Sequence, residues 1–112
     1  MNAEGLANRP RGNLDATGAF LRLEFGDTRV SGPEPHSKSA DAFRIDVQEG
    51  AERYRLWVRE DFLWAAEGDM AALLRRWQVA AKLREAGTRG SVLLSGNGAL
   101  VSAEREPKDL VG

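Results

Sequence analysis

Arginine and tryptophan recur at alternate positions in two neighbouring segments, Phe43-Arg44-Ile45-Asp46-Val47-Gln48 and Tyr54-Arg55-Leu56-Trp57-Val58-Arg59, with Arg53 just ahead of the second. Guanidinium forks donate directed hydrogen bonds to carboxylates and phosphates, and an indole offers a flat apolar anchor. Together they make the composition enriched at the energetic centres of protein interfaces. The same residues suit a single-stranded nucleic-acid platform, where base stacking is worth about 1–3 kcal/mol per base. A third arrangement fits them too: Trp57 covered by the N-terminal tail or the 31–41 loop, with Arg44 stacked on it. Asp46 and Glu24, on the same face, would repel phosphates. The partner-binding residues expected from the sequence are therefore Arg44, Arg55, Trp57 and Arg59.

Other candidates for chemistry have simpler explanations. Gly96-Asn97-Gly98 follows an apolar run, as a dinucleotide-binding turn would. However, Val101 stands where the third glycine belongs, and only eleven residues follow it, so a hairpin turn is the expectation. His36 is the sole histidine and lies between Pro35 and Ser37. Without a neighbouring nucleophile or ligand set it reads as a solvated loop residue. Glu60, Asp61, Glu67 and Asp69 cluster where a helix should begin, which favours electrostatic capping over a cation site. Arg75, Arg76, Lys82 and Arg84 read as the solvated face of a helix. No catalytic, metal-binding or cofactor-binding residue is assigned, and the expectation is a non-enzymatic chain. Activity relying on scattered carboxylates stays open.

The alternation that places the arginines on one side places Phe43, Ile45, Val47, Tyr54, Leu56 and Val58 on the other, the period-two signature of a half-buried hairpin. A four-residue turn at Glu49-Gly50-Ala51-Glu52 opposes Val47 to Tyr54, Ile45 to Leu56 and Phe43 to Val58, and also Asp46 to Arg55 and Arg44 to Trp57. A two-residue Glu49-Gly50 turn would oppose Val47 to Glu52 and waste core positions. Leu21, Leu23 and Phe25 alternate with Phe20, Arg22 and Glu24, predicting another strand whose outer side extends the arginine face through Phe20 and Arg22. The stretch 31–41, with Pro33 and Pro35, is expected to be a surface loop.

After a short helical turn around Phe62-Leu63-Trp64-Ala65-Ala66, Asp69 is positioned to cap one main helix. Its stripe is Met70, Leu73, Leu74, Trp77, Ala80 and Ala81, lying across the Leu21/Ile45/Leu56 face, and it ends at Gly87. A final hairpin is expected with Asn97-Gly98 at its tip, Leu94 opposite Val101 and Val92 opposite Ala103. Residues 1–18 and 104–112 lack periodicity and read as tails flanking a single domain over 19–103.

Composition bounds the partners. Sixteen basic against seventeen acidic side chains leave a net charge of −1, without the basic excess of a duplex-DNA binder. With no cysteine, disulfides, thiolate nucleophiles and cysteine-ligated metals are excluded. There is no signal-like start or long apolar run, so the reading is a soluble, cytoplasmic chain with no membrane partner.

The segments Asp41–Val47, Leu56–Phe62 and Gly90–Leu94 resemble, as a pattern of apolar positions, small bacterial immunity-type domains of the wall-associated-toxin immunity class. The resemblance implies a non-enzymatic protein that binds and blocks one partner, and it transfers no binding residue. The expectation is thus an α+β fold, with an antiparallel sheet of about five strands in the order β-β-β-α-β-β on one main amphipathic helix. Its function would be protein binding through the Arg/Trp face, as an inhibitor, immunity or regulatory protein, with single-stranded nucleic acid as the alternative ligand. Self-pairing to a homodimer along the Ala99–Ala103 edge is compatible with the sequence.

Overall fold

The computed structural model describes residues 7–37 and 41–111. Its first element corrects two expectations at once: residues 8–25 are neither tail nor strand but one helix, α1 (Asn8–Phe25). Pro10 lies in the first turn, where a missing N–H costs nothing. Leu14, Thr17, Gly18 and Leu21 recur at three and four residue spacing and are buried. Phe20 and Leu21 are adjacent and both buried while Leu23 is 77% exposed, a distribution that a helix allows and a two-faced strand does not. Tertiary packing outweighs the poor helix propensity of Gly12, Asn13 and Gly18. Asn13 Nδ2 donates to Leu63 O (2.8 Å) and Ala66 O (3.1 Å), closing carbonyls at the end of the next helix. Phe20 packs in the main core, so it does not extend the arginine face as expected.

The expected loop contains an edge strand, β1 (Val30–Pro35), after a 3-10 turn at Asp27–Arg29. Prolines are tolerated here because the strand has one unpaired edge and a register break between Ser31 and Glu34. Gly32 makes that break: its φ is +104°, and a β-carbon there would sit 2.6 Å from Arg44 O.

The central hairpin of β2 (Ala42–Glu49) and β3 (Glu52–Arg59) has the predicted register at every named pair, from Phe43↔Val58 to Val47↔Tyr54. Pairing continues one step further, to Glu49↔Glu52, so the tip is Gly50-Ala51. Arg84 Nη2 clamps that tip through Glu49 Oε2 at 2.9 Å.

Helix α2 (Glu60–Ala65) starts at the acidic pair as expected, and the Asp69 carboxylate accepts from Ala72 N at the start of the next helix. The single main helix is corrected to two, α3 (Met70–Arg76) and α4 (Val79–Ala86), broken where Gln78 takes φ +56°. The core explains the break. Met70 and Leu74 are buried, as are Val79 and Leu83, but Leu74 and Val79 are five residues apart, a rotation of about 140° in a continuous helix. A left-handed residue between them turns both pairs inward, and Ala81, predicted in the stripe, is exposed.

The chain then forms β4 (Ser91–Ser95) and β5 (Gly98–Ser102). The hairpin exists as predicted, but Gly96-Asn97 forms its tip, pairing Leu94 with Ala99 and Val92 with Val101, two residues from the expected register. The sheet is mixed, in the order β1-β2-β3-β4-β5, with β3 and β4 parallel. The expected all-antiparallel order fails because three helices carry the chain from the end of β3 back past the sheet, which delivers β4 in the same direction. The main core lies between the helices and Phe43, Ile45, Val47, Leu56, Val58, Val92 and Leu94.

The C-terminal segment is also packed and not loose. Pro107 and Leu110 are buried, and a 3-10 turn spans Lys108–Val111. No helix among the described residues is long and apolar enough to cross a membrane.

Candidate functional site

Side chains at positions 42, 44, 46 and 48 of β2 and 53, 55, 57 and 59 of β3 project from the sheet face opposite the helices, as the parity of the hairpin requires. At its centre is Asp46, with a side chain 8% exposed. Arg55 Nε donates to its Oδ1 at 3.0 Å, Arg44 Nε lies 3.6 Å from Oδ2, and Arg53 Nη2 lies 4.0 Å from Oδ2. A buried carboxylate needs such partners, and three guanidiniums around one carboxylate leave positive charge unmatched. Arg44 also reaches Glu34 on β1, Nη2 to Oε2 at 2.5 Å.

Arg105, from the C-terminal segment, adds a fourth guanidinium. Its Nη1 donates to Arg53 O (2.7 Å) and Thr88 O (2.6 Å). Burial, followed by the charge of Arg55, lowers its pKa below the ordinary arginine value, against a smaller opposing effect of Asp46. The face thus gathers four guanidiniums against the carboxylates of Asp46, Glu34 and Glu106.

Trp57 corrects the expectation of an exposed anchor. It is 3% exposed and packs with Ala42, Leu93 and Leu110 under the C-terminal segment. Its Nε1 donates to Arg105 O at 2.7 Å. Among the described residues the cover comes from the C-terminal segment together with His36 of the 31–41 stretch, and the guanidinium over the ring is that of Arg55, 5.7 Å from the centroid. His36, expected to be solvated, is buried. Its ring centroid lies 5.3 Å from a Trp57 ring, and its Nε2 is hydrogen-bonded to Glu106. The burial of both follows from the same segment, which spans the sheet face beyond the arginines.

Of the four residues expected at the site, the structure brings Arg44 and Arg55 together and places Trp57 beside them as a buried floor. Arg59 lies at the other end of β3, opposite Ala42, with its Nε 3.6 Å from Asp61. The sequence pattern left three participants unassigned. The alternation places Arg53 and Asp46 on the same face, but it attaches no binding role to them. Arg105 gives no local signal, since its guanidinium contacts cross 17 and 52 residues of chain.

Two shallow clefts flank the arginine row. One, of about 230 Å³, lies among Glu34, His36, Arg44, Arg55, Trp57 and Glu106; the other, of about 140 Å³, lies among Arg29, Ser31, Asp46, Gln48 and Arg53. Guanidiniums stay protonated and donate hydrogen bonds only, so the arginines of this surface can hold anionic oxygens in fixed geometry. Among the described residues no group of three or more His, Asp or Glu side chains is placed to hold a metal ion. Comparison with known proteins gives no further guide: no family model, curated protein or solved structure matches this chain.

Proposed function

We propose that the chain is a small non-enzymatic protein-binding module, acting as an inhibitor, immunity or regulatory protein, whose β2–β3 arginine face recognises an acidic surface of its partner. The observation that carries this reading is the clustering of Arg44, Arg53 and Arg55 around the buried carboxylate of Asp46. Asp46 orders the guanidiniums before any partner arrives, so less side-chain freedom is lost on binding. Arg53, with its side chain 55% exposed, and Arg44, at 35%, present the accessible donors. Excess positive charge steers an acidic partner and disfavours a basic one. Trp57 contributes as the floor under Arg55. Because its ring is covered, the face lacks the stacking platform that a single-stranded nucleic acid would use.

Titration of an oligoglutamate peptide into isotopically labelled protein, following the arginine side-chain Nε–H resonances, tests the charge preference of this surface. The expected result is movement of the Arg44, Arg53 and Arg55 signals, screened away by salt, with Arg75 and Arg76 little changed. Equal or larger movement at Arg75 and Arg76 would locate the basic surface on α3 and remove the basis for the proposal.

A further inference from the structure

Strand β5 ends one side of the sheet, and among the described residues no strand pairs with its outer edge. The two-residue tip makes Ser95 and Gly98 the first bonded pair of the hairpin. Alternation then turns the N–H and C=O groups of Gly98, Leu100 and Ser102 toward β4, and those of Ala99 and Val101 outward. The contact of Lys82 Nζ with Ala99 O, 3.1 Å, agrees with that outward direction.

The two edges of the sheet are built differently. β1 carries Gly32, Pro33, Glu34, Pro35 and a register break, the devices by which exposed edges avoid pairing. β5 reads Gly-Ala-Leu-Val-Ser: uncharged, without proline, and in unbroken register with β4. Its Leu100 is 55% exposed and its Val101 41%.

We propose that β5 pairs antiparallel with β5 of a second copy of this chain, about a two-fold axis at Leu100. In this register Ala99 opposes Val101 of the second copy. Each Ala99 N–H meets a Val101 carbonyl, and each Val101 N–H meets an Ala99 carbonyl. The Ala99 oxygen has two lone pairs, so Lys82 can keep one. Leu100 faces its own image at a non-hydrogen-bonded position, where α-carbons approach to about 4.5 Å and side chains touch. A second copy is the occupant because the strand complements itself: every outward donor in it finds an acceptor, the exposed leucine finds a leucine, and no charge opposes a like charge within β5. Such a contact is symmetric and closes at the dimer. It is also small, below the roughly 1,200 Å² of a standard interface, so association is weak and is best trapped covalently. It involves none of the arginines and is independent of the partner proposed for them.

The absence of native cysteine allows a clean test. Purified Leu100→Cys protein, mildly oxidised over a range of concentrations, is compared with Leu23→Cys, whose position on α1 is 77% exposed. The paired geometry puts two Leu100 α-carbons within the 4.4–6.8 Å or so that a disulfide spans. Leu100→Cys is expected to form disulfide dimers about tenfold faster than Leu23→Cys, through the raised local concentration of paired thiols. Adding Val101→Pro, which removes an outward donor, should bring the rate down to that of Leu23→Cys. Equal rates for the two cysteine variants would overturn the proposal, whether or not the proline variant folds. An unchanged rate in a proline variant that does fold would overturn it as well.

Discussion

Replacing Trp57 by alanine separates a buried floor from an exposed anchor. The ring is 3% exposed, packs with Ala42, Leu93 and Leu110, lies 5.3 Å from the His36 ring, and bonds Arg105 O at 2.7 Å. Truncating a buried aromatic residue to alanine costs about 3–5 kcal/mol, and the indole hydrogen bond adds about 1 kcal/mol at most, so a loss of about 4 kcal/mol is expected. In a domain near this size each kcal/mol lowers the Tm by about 4 °C or more, giving a fall of about 16 °C. Trp57→Phe keeps most of the apolar contact and should lose about 1–2 kcal/mol. Trp64→Ala, at a position 49% exposed on α2, should lose about 1 kcal/mol or less. Urea unfolding followed by far-UV circular dichroism reads all three without depending on tryptophan emission. A Trp57→Ala protein within about 0.5 kcal/mol of wild type would refute the burial argument and restore Trp57 as a candidate anchor.

Other substitutions probe the parts separately. Asp46→Asn removes the carboxylate that holds the guanidiniums together and should cost about 1–3 kcal/mol, discounted for the partial exposure of the arginines and partly recovered at high salt; a loss unaffected by salt would point to packing instead. Gly32→Ala must accept φ +104° and a contact with Arg44 O, so a loss of about 2–4 kcal/mol in urea unfolding is expected, and a neutral result would contradict the β1 register. Glu49 has its pKa lowered by hydrogen bonds from Arg84 and then Tyr54. Its contribution to stability is therefore present above the unfolded carboxyl value and lost as pH falls through the lower folded one. Glu49→Gln should accordingly be less stable than wild type at neutral pH and converge with it in acid, whereas a constant difference across that range would exclude the linkage.

The hairpin was legible because its alternation has only two parities, and one of them aligns every apolar pair. Parity alone places Arg44, Asp46, Arg55 and Trp57 on one face. It could not show what lies over that face. The cover comes from residues 104–111, whose contact with Trp57 spans 48 positions and leaves no periodic trace in Glu104-Arg105-Glu106-Pro107. The N-terminus failed for a different reason: Leu21, Leu23 and Phe25 alternate by chance within a helix whose true stripe, Leu14-Thr17-Gly18-Leu21, is half polar or small. Once that segment is helical, the first strand must come from the proline-bearing stretch, which local rules assign to a loop. The parallel β3–β4 pair then follows from the helical crossover between them, a tertiary choice that the composition of β4 does not encode.

The central claim is that the arginine face receives a protein partner. It is tested most directly by affinity capture from native-host extract with tagged wild type and Arg53→Glu, after nuclease treatment, with thermal unfolding of both proteins measured alongside. Arg53 is the most exposed of the three arginines around Asp46 and sits furthest from its carboxylate, so charge reversal should leave the fold nearly intact. The expected result is a stoichiometric acidic protein retained by wild type and lost with Arg53→Glu at unchanged Tm. Capture of the same protein equally well by both, or of material that nuclease removes, would contradict it.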